Sequence, residues 1–346
     1  MDLLSGNMHV NVQLNRIFIP LALVLFSATL RAADTMKAII VSGKQPQLQS
    51  VARPVPGAGQ ILIKVRATSV NPADWKVASI DLPMPWIPGW DAAGVVQAVG
   101  PGVSEYHRGD AVMAFFERRP DPVKAAPNAG GYAQYAVVGL GVVARKPAKA
   151  SFEEAAGIPL AAVTAWKALI DEANLQSGQR VLIHGGAGGV GSSAVQIAKS
   201  RGAYVIATAS PRNNDFLKKI GADEIIDYNS VRFEDRLKDL DVVLNTVDAD
   251  TGIRSLQVLK PGAVLVSVVA PTPPDQCGAA KVRCTIVDRG RGTPINQLLA
   301  QVSKLVDAGK YDVHIDATLP LAEVSKAWDM NRSGHTRGKI VLTVPQ

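Results

Sequence analysis

From residue 36 to about 150 the apolar positions fall in short runs, at 37–41, 61–70, 94–99, 111–115 and 133–138, with Gly and Pro between them. Strands this short, separated by turn residues, predict a compact β-barrel-like domain. The pattern changes at Ser151. Ser151-Phe152-Glu153-Glu154 places a hydroxyl and a carboxylate three residues apart, the reciprocal arrangement that satisfies free amides at a helix start. Pro159 divides this helix from a second one over 160–174. Strands are then expected at 181–184, 204–208, 224–226, 242–246 and 264–269, with helices at 189–201, 214–220 and 251–259. Apolar, β-branched strands alternating with helices predict a parallel sheet covered on both faces. The tail, from about residue 319, is expected to hold one helix and the strand 339–344. The fold class is α/β, without repeats.

The first chemistry-bearing segment lies at the head of that alternation. Val181-Leu182-Ile183-His184 runs directly into Gly185-Gly186-Ala187-Gly188-Gly189-Val190-Gly191, which puts Gly186, Gly188 and Gly191 at the positions of G-x-G-x-x-G. Such glycines allow a tight turn, a close approach of backbone to pyrophosphate, and close helix-to-strand packing. The following helix offers its unpaired amides, from Gly189 and Val190 onward, to phosphate. Strand, loop, helix and next strand stand in the required order, which predicts a dinucleotide site. The end of the second strand selects the dinucleotide. A ribose without a 2′-phosphate usually meets an Asp or Glu there, whereas this chain has Ala209-Ser210-Pro211-Arg212. A hydroxyl and a guanidinium suit a phosphate, so Ser210 and Arg212 predict NADP.

Composition narrows the partners. With 346 residues, 47% hydrophobic and 19% charged, the chain can bury two cores and is not a disordered polymer. The net charge of +7 is scattered, its densest spots being pairs such as Arg118-Arg119 and Lys218-Lys219. No basic stripe interleaves with aromatics, so a nucleic-acid partner is not expected. Cys277 and Cys284, with no His beside them, exclude a cysteine-rich zinc site and leave two readings, buried thiols or one disulfide.

Residues 1–35 stand apart. Arg16 precedes an uncharged run over 17–30, followed by Arg31-Ala32-Ala33-Asp34, the layout of a secretory signal. The run is short and broken by Pro20, so no stable membrane span is expected. Two locations stay open: the cytoplasm if the working chain starts at Met36, or export through the signal-like segment.

Asn71-Pro72-Ala73-Asp74-Trp75-Lys76, Pro88-Gly89-Trp90-Asp91-Ala92-Ala93-Gly94 and the glycine segment, with Gly221-Ala222-Asp223 and His335-Thr336-Arg337-Gly338-Lys339-Ile340-Val341-Leu342, together resemble the medium-chain dehydrogenase/reductase superfamily in its zinc-independent, quinone oxidoreductase-like branch. The resemblance runs from Met36 to the end. It implies a GroES-like β-barrel substrate domain over 36–155, completed by about 319–346, and a Rossmann NADP-binding domain over 156–318. Carried over position by position, Asn71 and Thr164 would lie near the nicotinamide. Ser210 and Arg212 would hold the 2′-phosphate, Tyr228 would flank the adenosine, and Thr246, Val247, Ser267 and Val268 would frame the ribose and carboxamide. Arg337 is a further carry-over to the cofactor. The run 282–287 would pair as an edge strand across a homodimer, as in relatives.

The departures from the family's zinc enzymes constrain the reaction. Those enzymes have Cys where this chain has Asn71, and Gly-His-Glu where it has Gly89-Trp90-Asp91; their four-cysteine structural lobe is missing too. Zinc in such sites wants thiolate, imidazole or carboxylate, so no metal is expected, and Asp91 reads as a turn or core-capping acid. Without a Lewis acid to hold an alkoxide, the accessible chemistry is hydride delivery to an acceptor that is already electrophilic, a quinone or a carbon–carbon double bond conjugated to a carbonyl. Asn71, Lys76 and Tyr132 are the candidate catalytic residues, with Tyr135 a further candidate proton donor. Trp75, Trp86 and Trp90 flank a Pro-rich loop that could wall a planar acceptor, or simply pack. Two other functions fit the same loop: a zinc-free reductase of saturated aldehydes, and a non-catalytic NADPH-binding protein of the lens-crystallin kind.

Overall fold

The computed structural model describes residues 34–42, 45–78, 86–116 and 130–346. The signal-like segment, the Arg118-Arg119 pair and most of the Pro-rich loop before Trp86 lie outside the described residues.

Two sheets carry the fold. In the first, the long strand Gln60–Val70 is central, pairing antiparallel with Asp91–Val99, Tyr135–Gly139 and Lys339–Thr343. The strands Ala111–Phe115 and Val143–Arg145 extend one side and Ile315–Pro320 the other. A hairpin of Thr35–Ser42 with Gln45–Ala52 attaches through bridges at Ala38 to Ala133 and Val41 to Trp86. Inward residues of this sheet and of the hairpin, among them Ile39, Ile61, Ile63, Val112 and Ile340, close one apolar core with Trp328. The chain crosses back into this sheet at residue 315, four residues before the tail was expected to begin.

The second sheet is parallel throughout, in the order Glu224–Asp227, Tyr204–Ala209, Arg180–Ile183, Leu240–Asn245, Leu259–Ser267, Arg283–Ile286. Counted along the chain this is 3-2-1-4-5-6, the Rossmann order, whose crevice lies where the order reverses, between the strands 180–183 and 240–245. Val181, Leu182 and Ile183 are fully buried, as a strand covered on both faces requires.

Local signals decide where the helices start. Ser151 accepts from the Glu154 amide while the Glu154 side chain accepts from the Ser151 amide, so the capping box is present. Pro159 is the first residue of the helix Pro159–Trp166, where its missing N–H costs nothing. The turn then widens to a π-helix over Lys167–Glu172. The helix expected over 251–259 runs instead over Ala249–Ser255, because Asp248 caps it by accepting from the Thr251 amide. Its expected last residue, Leu259, already belongs to the next strand.

Among the elements not anticipated are a strand and a long helix. Gln45–Ala52 is polar and mostly exposed, so its apolar positions show no alternation. Ile295–Asp307 is an amphipathic helix whose buried Ile295, Leu298, Leu299 and Val302 follow helical spacing. Cys277 and Cys284 form a disulfide, which selects one of the two readings for this pair.

Candidate active site

The strand Arg180–Ile183 leads into a loop shaped by its glycines. Gly185 sits at φ +66°, a left-handed conformation that favours glycine. A Cβ on Gly186 would come within 2.7 Å of Ala207 Cβ, and one on Gly191 within 2.1 Å of the Gly185 carbonyl oxygen. Gly188 has no such constraint; its Cβ would rest 3.5 Å from its nearest neighbour. It is the N-cap of the helix Gly189–Ser200, which has no side-chain cap. The amides of Gly189, Val190 and Gly191 therefore stand at a helix N-terminus without a protein carboxylate, an arrangement suited to an anion. The helix is held from behind by Ser193, whose hydroxyl lies 2.6 Å from the Tyr311 hydroxyl, and by Gln196, which exchanges hydrogen bonds with the Asp312 backbone.

Beyond the next strand, Tyr204–Ala209, a cationic corner forms. Arg337 donates through Nε to Asn213 Oδ1 at 2.9 Å and through Nη2 to the Arg212 carbonyl at 2.7 Å, while Arg212 donates to the His335 carbonyl. Asn213 donates in turn to Ser210 Oγ at 3.2 Å. Ser210, Arg212 and Arg337 thus come together from segments 125 residues apart in sequence. Tyr228 is 57% exposed and directly follows Asp227, which pairs with Ala209.

At the opposite end of the crevice, Thr246 donates to the His184 carbonyl at 2.6 Å and stands against Gly185. Val247 is exposed, and its amide donates to Asn245 Oδ1 at 3.1 Å. Ser267 is fully buried, accepting from the Val269 and Ala270 amides, and Val268 donates to the Asn245 carbonyl at 3.0 Å. Thr164 Oγ1 is buried with no hydrogen-bond partner among the described residues. Such a hydroxyl costs about 1–3 kcal/mol unless a bound group satisfies it. An uncapped helix start, a cationic corner and an orphaned hydroxyl fit the pyrophosphate, the distal phosphate and the carboxamide of a nicotinamide dinucleotide.

The wall facing this crevice is a buried polar cluster. Asn71 Nδ2 donates to Asp91 Oδ2 at 2.8 Å, and Asn71 Oδ1 accepts from Lys339 Nζ at 2.5 Å. Asp91 also accepts from Ser69 and, at 2.6 Å, from the Leu160 amide in the first turn of the helix Pro159–Trp166. Asp91, read as a turn or core-capping acid, opens the strand Asp91–Val99 and ties the first sheet to the helix beside the crevice. Asp74 accepts from the Asn71 and Gly89 amides and from the Tyr132 hydroxyl. Burial raises Asp74 to about 7 against the pull of these hydrogen bonds.

These contacts redistribute the expected roles. Tyr132 is fully buried, its hydroxyl committed to Asp74 and its acidity lowered by burial, so it is not placed to hand a proton to an acceptor. Lys76 is exposed on the helix Pro72–Ala78, with Nζ 5.6 Å from the Trp75 ring centroid. Tyr135 is half-buried beneath the Arg53 guanidinium. Asn71 is at the wall, with its amide fully engaged. Burial lowers the His184 pKa to about 3, so its imidazole is neutral at neutral pH, between Thr208 and Ser255.

Residues 57–148 match the family described as alcohol dehydrogenase GroES-like domain, and residues 220–342 the family described as zinc-binding dehydrogenase. Over 304 residues the chain is 36% identical to the 2-methylene-furan-3-one reductase of Solanum lycopersicum, a match covering 85% of this chain and 74% of that protein. The chain belongs to the medium-chain dehydrogenase/reductase superfamily. It falls in the quinone oxidoreductase branch: the solved quinone oxidoreductase of Coxiella burnetii superposes with a TM-score of 0.79 at 32% identity, covering 90% of this chain and 100% of that one. The chloroplastic NADPH-dependent alkenal/one oxidoreductase of Arabidopsis thaliana is 32% identical over 293 residues, covering 82% of this chain and 72% of that protein.

As a medium-chain dehydrogenase/reductase, this protein is an oxidoreductase that uses a nicotinamide nucleotide. Two site residues escaped the sequence reading. Lys339 was visible only as the start of a strand and part of a motif, and Asp74 only as part of a motif. Nothing in their neighbourhoods along the chain signals that they meet at one buried wall.

Proposed function

We propose that this oxidoreductase uses NADPH to reduce quinones or carbonyl-conjugated double bonds, and does so without zinc. The observation that carries the reading is the corner of Ser210, Arg212 and Arg337 at the end of the second parallel strand, where a 2′-hydroxyl would call for a carboxylate. Two guanidiniums and a hydroxyl suit a phosphate monoester. The bound cofactor supplies a hydride, and the balance is NADPH plus a proton plus acceptor giving NADP and the reduced acceptor. Thr164 would donate to the carboxamide, and the amides from Gly189 to Gly191 would take the pyrophosphate.

The zinc-free part rests on donor chemistry. The position of a thiolate in the family's zinc enzymes is an amide here, Asn71, already bound to Lys339 and Asp91. The position of the imidazole is the indole of Trp90. Asp91 has both carboxylate oxygens engaged, by Ser69 and Asn71 on one and by the Leu160 amide on the other. Among the described residues no group of His, Cys, Asp and Glu is arranged to hold a metal. An acceptor whose developing charge rests on an enolate or hydroquinone oxygen needs no Lewis acid, and positioning in a dry cleft suffices. The exposed edge of Arg283–Ile286, with Ile286 solvent-facing, supports pairing of two copies as a homodimer.

The test is NADPH oxidation by the purified protein with a quinone, an enone and the matching saturated aldehyde, alongside metal analysis. Turnover with the first two, insensitive to chelator, is expected. Stoichiometric zinc on which turnover depends, or a preference for the saturated aldehyde, overturns the proposal.

A further inference from the structure

Lysine is almost never fully buried unless paired, yet Lys339, the first residue of the strand Lys339–Thr343, is only 5% exposed. Burial pushes its ammonium toward neutrality, and the charges of Asp91 and then Asp74 oppose that. Where two sheets simply need joining, apolar residues of the same volume serve as well or better than a buried ion pair. The cation therefore asks for an explanation beyond adhesion.

Its position offers one. Nζ donates to Asn71 Oδ1 and lies 3.6 Å from Asp91 Oδ2, while Asp91 Oδ2 accepts from Asn71 Nδ2. An ammonium has only donors and a carboxylate only acceptors, so the Asn71 amide has one allowed orientation. Turned over, it would set its NH2 against the ammonium and its oxygen against the carboxylate. The other side of the same residue is braced on the dinucleotide loop. Gly338 donates to the Ala187 carbonyl at 2.8 Å, and a Cβ on Gly189 would meet Lys339 Cδ at 3.0 Å. One residue thus links the loop expected to grip the pyrophosphate to the wall expected to face the nicotinamide.

We infer that Lys339 is a positioning residue for hydride transfer: acting through Asn71, it sets the spacing between the nicotinamide and the acceptor wall. The inference rests on the reading of this chain as an NADPH-dependent reductase and deepens it. Lys339 touches neither reacting atom in this account. Its effect is geometric, and a displacement of about 1 Å at a hydride-transfer site is enough to cost about 100-fold in rate.

The test compares full-length wild type with Lys339→Met, Lys339→Arg, Asn71→Ala and the double variant Lys339→Met/Asn71→Ala. NADPH is the probe, both unlabelled and deuterated at the transferred position. Lys339→Met is expected to bind NADPH nearly as wild type but to alter the fluorescence of the bound nicotinamide. Its kcat should fall by about 10- to 100-fold, its primary isotope effect should rise, and KM for the acceptor should change little. Adding Asn71→Ala should cost nothing further, because both substitutions remove one interaction. Additive losses, or a lower Tm with unaltered fluorescence and isotope effect, overturn the inference. If Lys339→Met does not fold, Lys339→Arg decides, since it keeps the charge but not the single-atom contact; wild-type fluorescence and isotope effect in that variant refute the idea. A wild type that binds NADPH but oxidises it with no acceptor would sink the reductase reading instead, and the fluorescence comparison would then decide for Lys339 alone.

Discussion

Replacing Arg212 with alanine gives the most direct view of the cationic corner. Its guanidinium is exposed and gives one donor to the His335 carbonyl, leaving others of its five N–H groups for a phosphate. A hydrogen bond to a charged group is worth about 1.5–3 kcal/mol, and an exposed site argues for the lower end. At about 1.5–2 kcal/mol, Kd for NADPH should rise about 10- to 30-fold. NADH lacks the phosphate and meets only a screened charge, so its Kd should move by no more than about twofold. The assay is a fluorescence titration of both nucleotides at one fixed ionic strength, repeated at higher salt, where the discrimination should shrink. Arg337 would still hold Asn213 and the Arg212 backbone in the variant, so the loop itself should persist. Equal losses for NADPH and NADH would refute the argument, because they would mean that Arg212 supports the loop and does not read the phosphate.

Other perturbations separate fold from ligand. Gly191→Ala forces a Cβ to within 2.1 Å of the Gly185 carbonyl and should cost about 1–3 kcal/mol of stability; Gly188→Ala, with its nearest neighbour at 3.5 Å, should melt close to wild type while weakening NADPH binding. Equal melting temperatures for the two variants would contradict this. Asp74, raised to about 7 in the folded protein, binds more protons folded than unfolded between its ordinary pKa and that value. Its contribution to stability is therefore complete at low pH and lost as pH climbs through about 7; Asp74→Asn should flatten that part of the Tm-versus-pH curve, and an unchanged slope would argue against it. Reducing the Cys277–Cys284 bridge opens a loop with a sequence separation of seven, worth about 2.5 kcal/mol by loop entropy. Thermal melts with and without a phosphine reductant measure it, and identical melts would show that the bridge contributes nothing.

What could be read along the chain was whatever the chain decides locally. The Ser151 capping box, the glycines at 186 and 191, and the apolar strand before them each act on near neighbours, and the structure holds them where their spacing implied. The helix Ile295–Asp307 also carried its signal, in the spacing of Ile295, Leu298, Leu299 and Val302, although the reading passed over it. The buried wall was different in kind. Lys339 and Asn71 are 268 residues apart, and Asp91 reaches Leu160 across 69. A lysine opening a strand looks like any solvated edge residue until the tertiary fold withdraws it from water. Tyr132 failed in the opposite sense: it was a candidate proton donor, and the packing of Asp74 against its hydroxyl closed it off.

Three consecutive residues near the end of the sequence each serve a different part of the crevice: Arg337 at the phosphate corner, Gly338 on the glycine loop and Lys339 at Asn71. A nascent polypeptide halted at residue 330 would already contain every glycine of the loop and every strand of the parallel sheet, yet it would lack the strap that joins them to the opposite wall. Competence to hold the cofactor firmly should thus arrive only once residues 337–339 have been made, and NADPH becomes a reporter that distinguishes chains carrying this strap from chains that lack it.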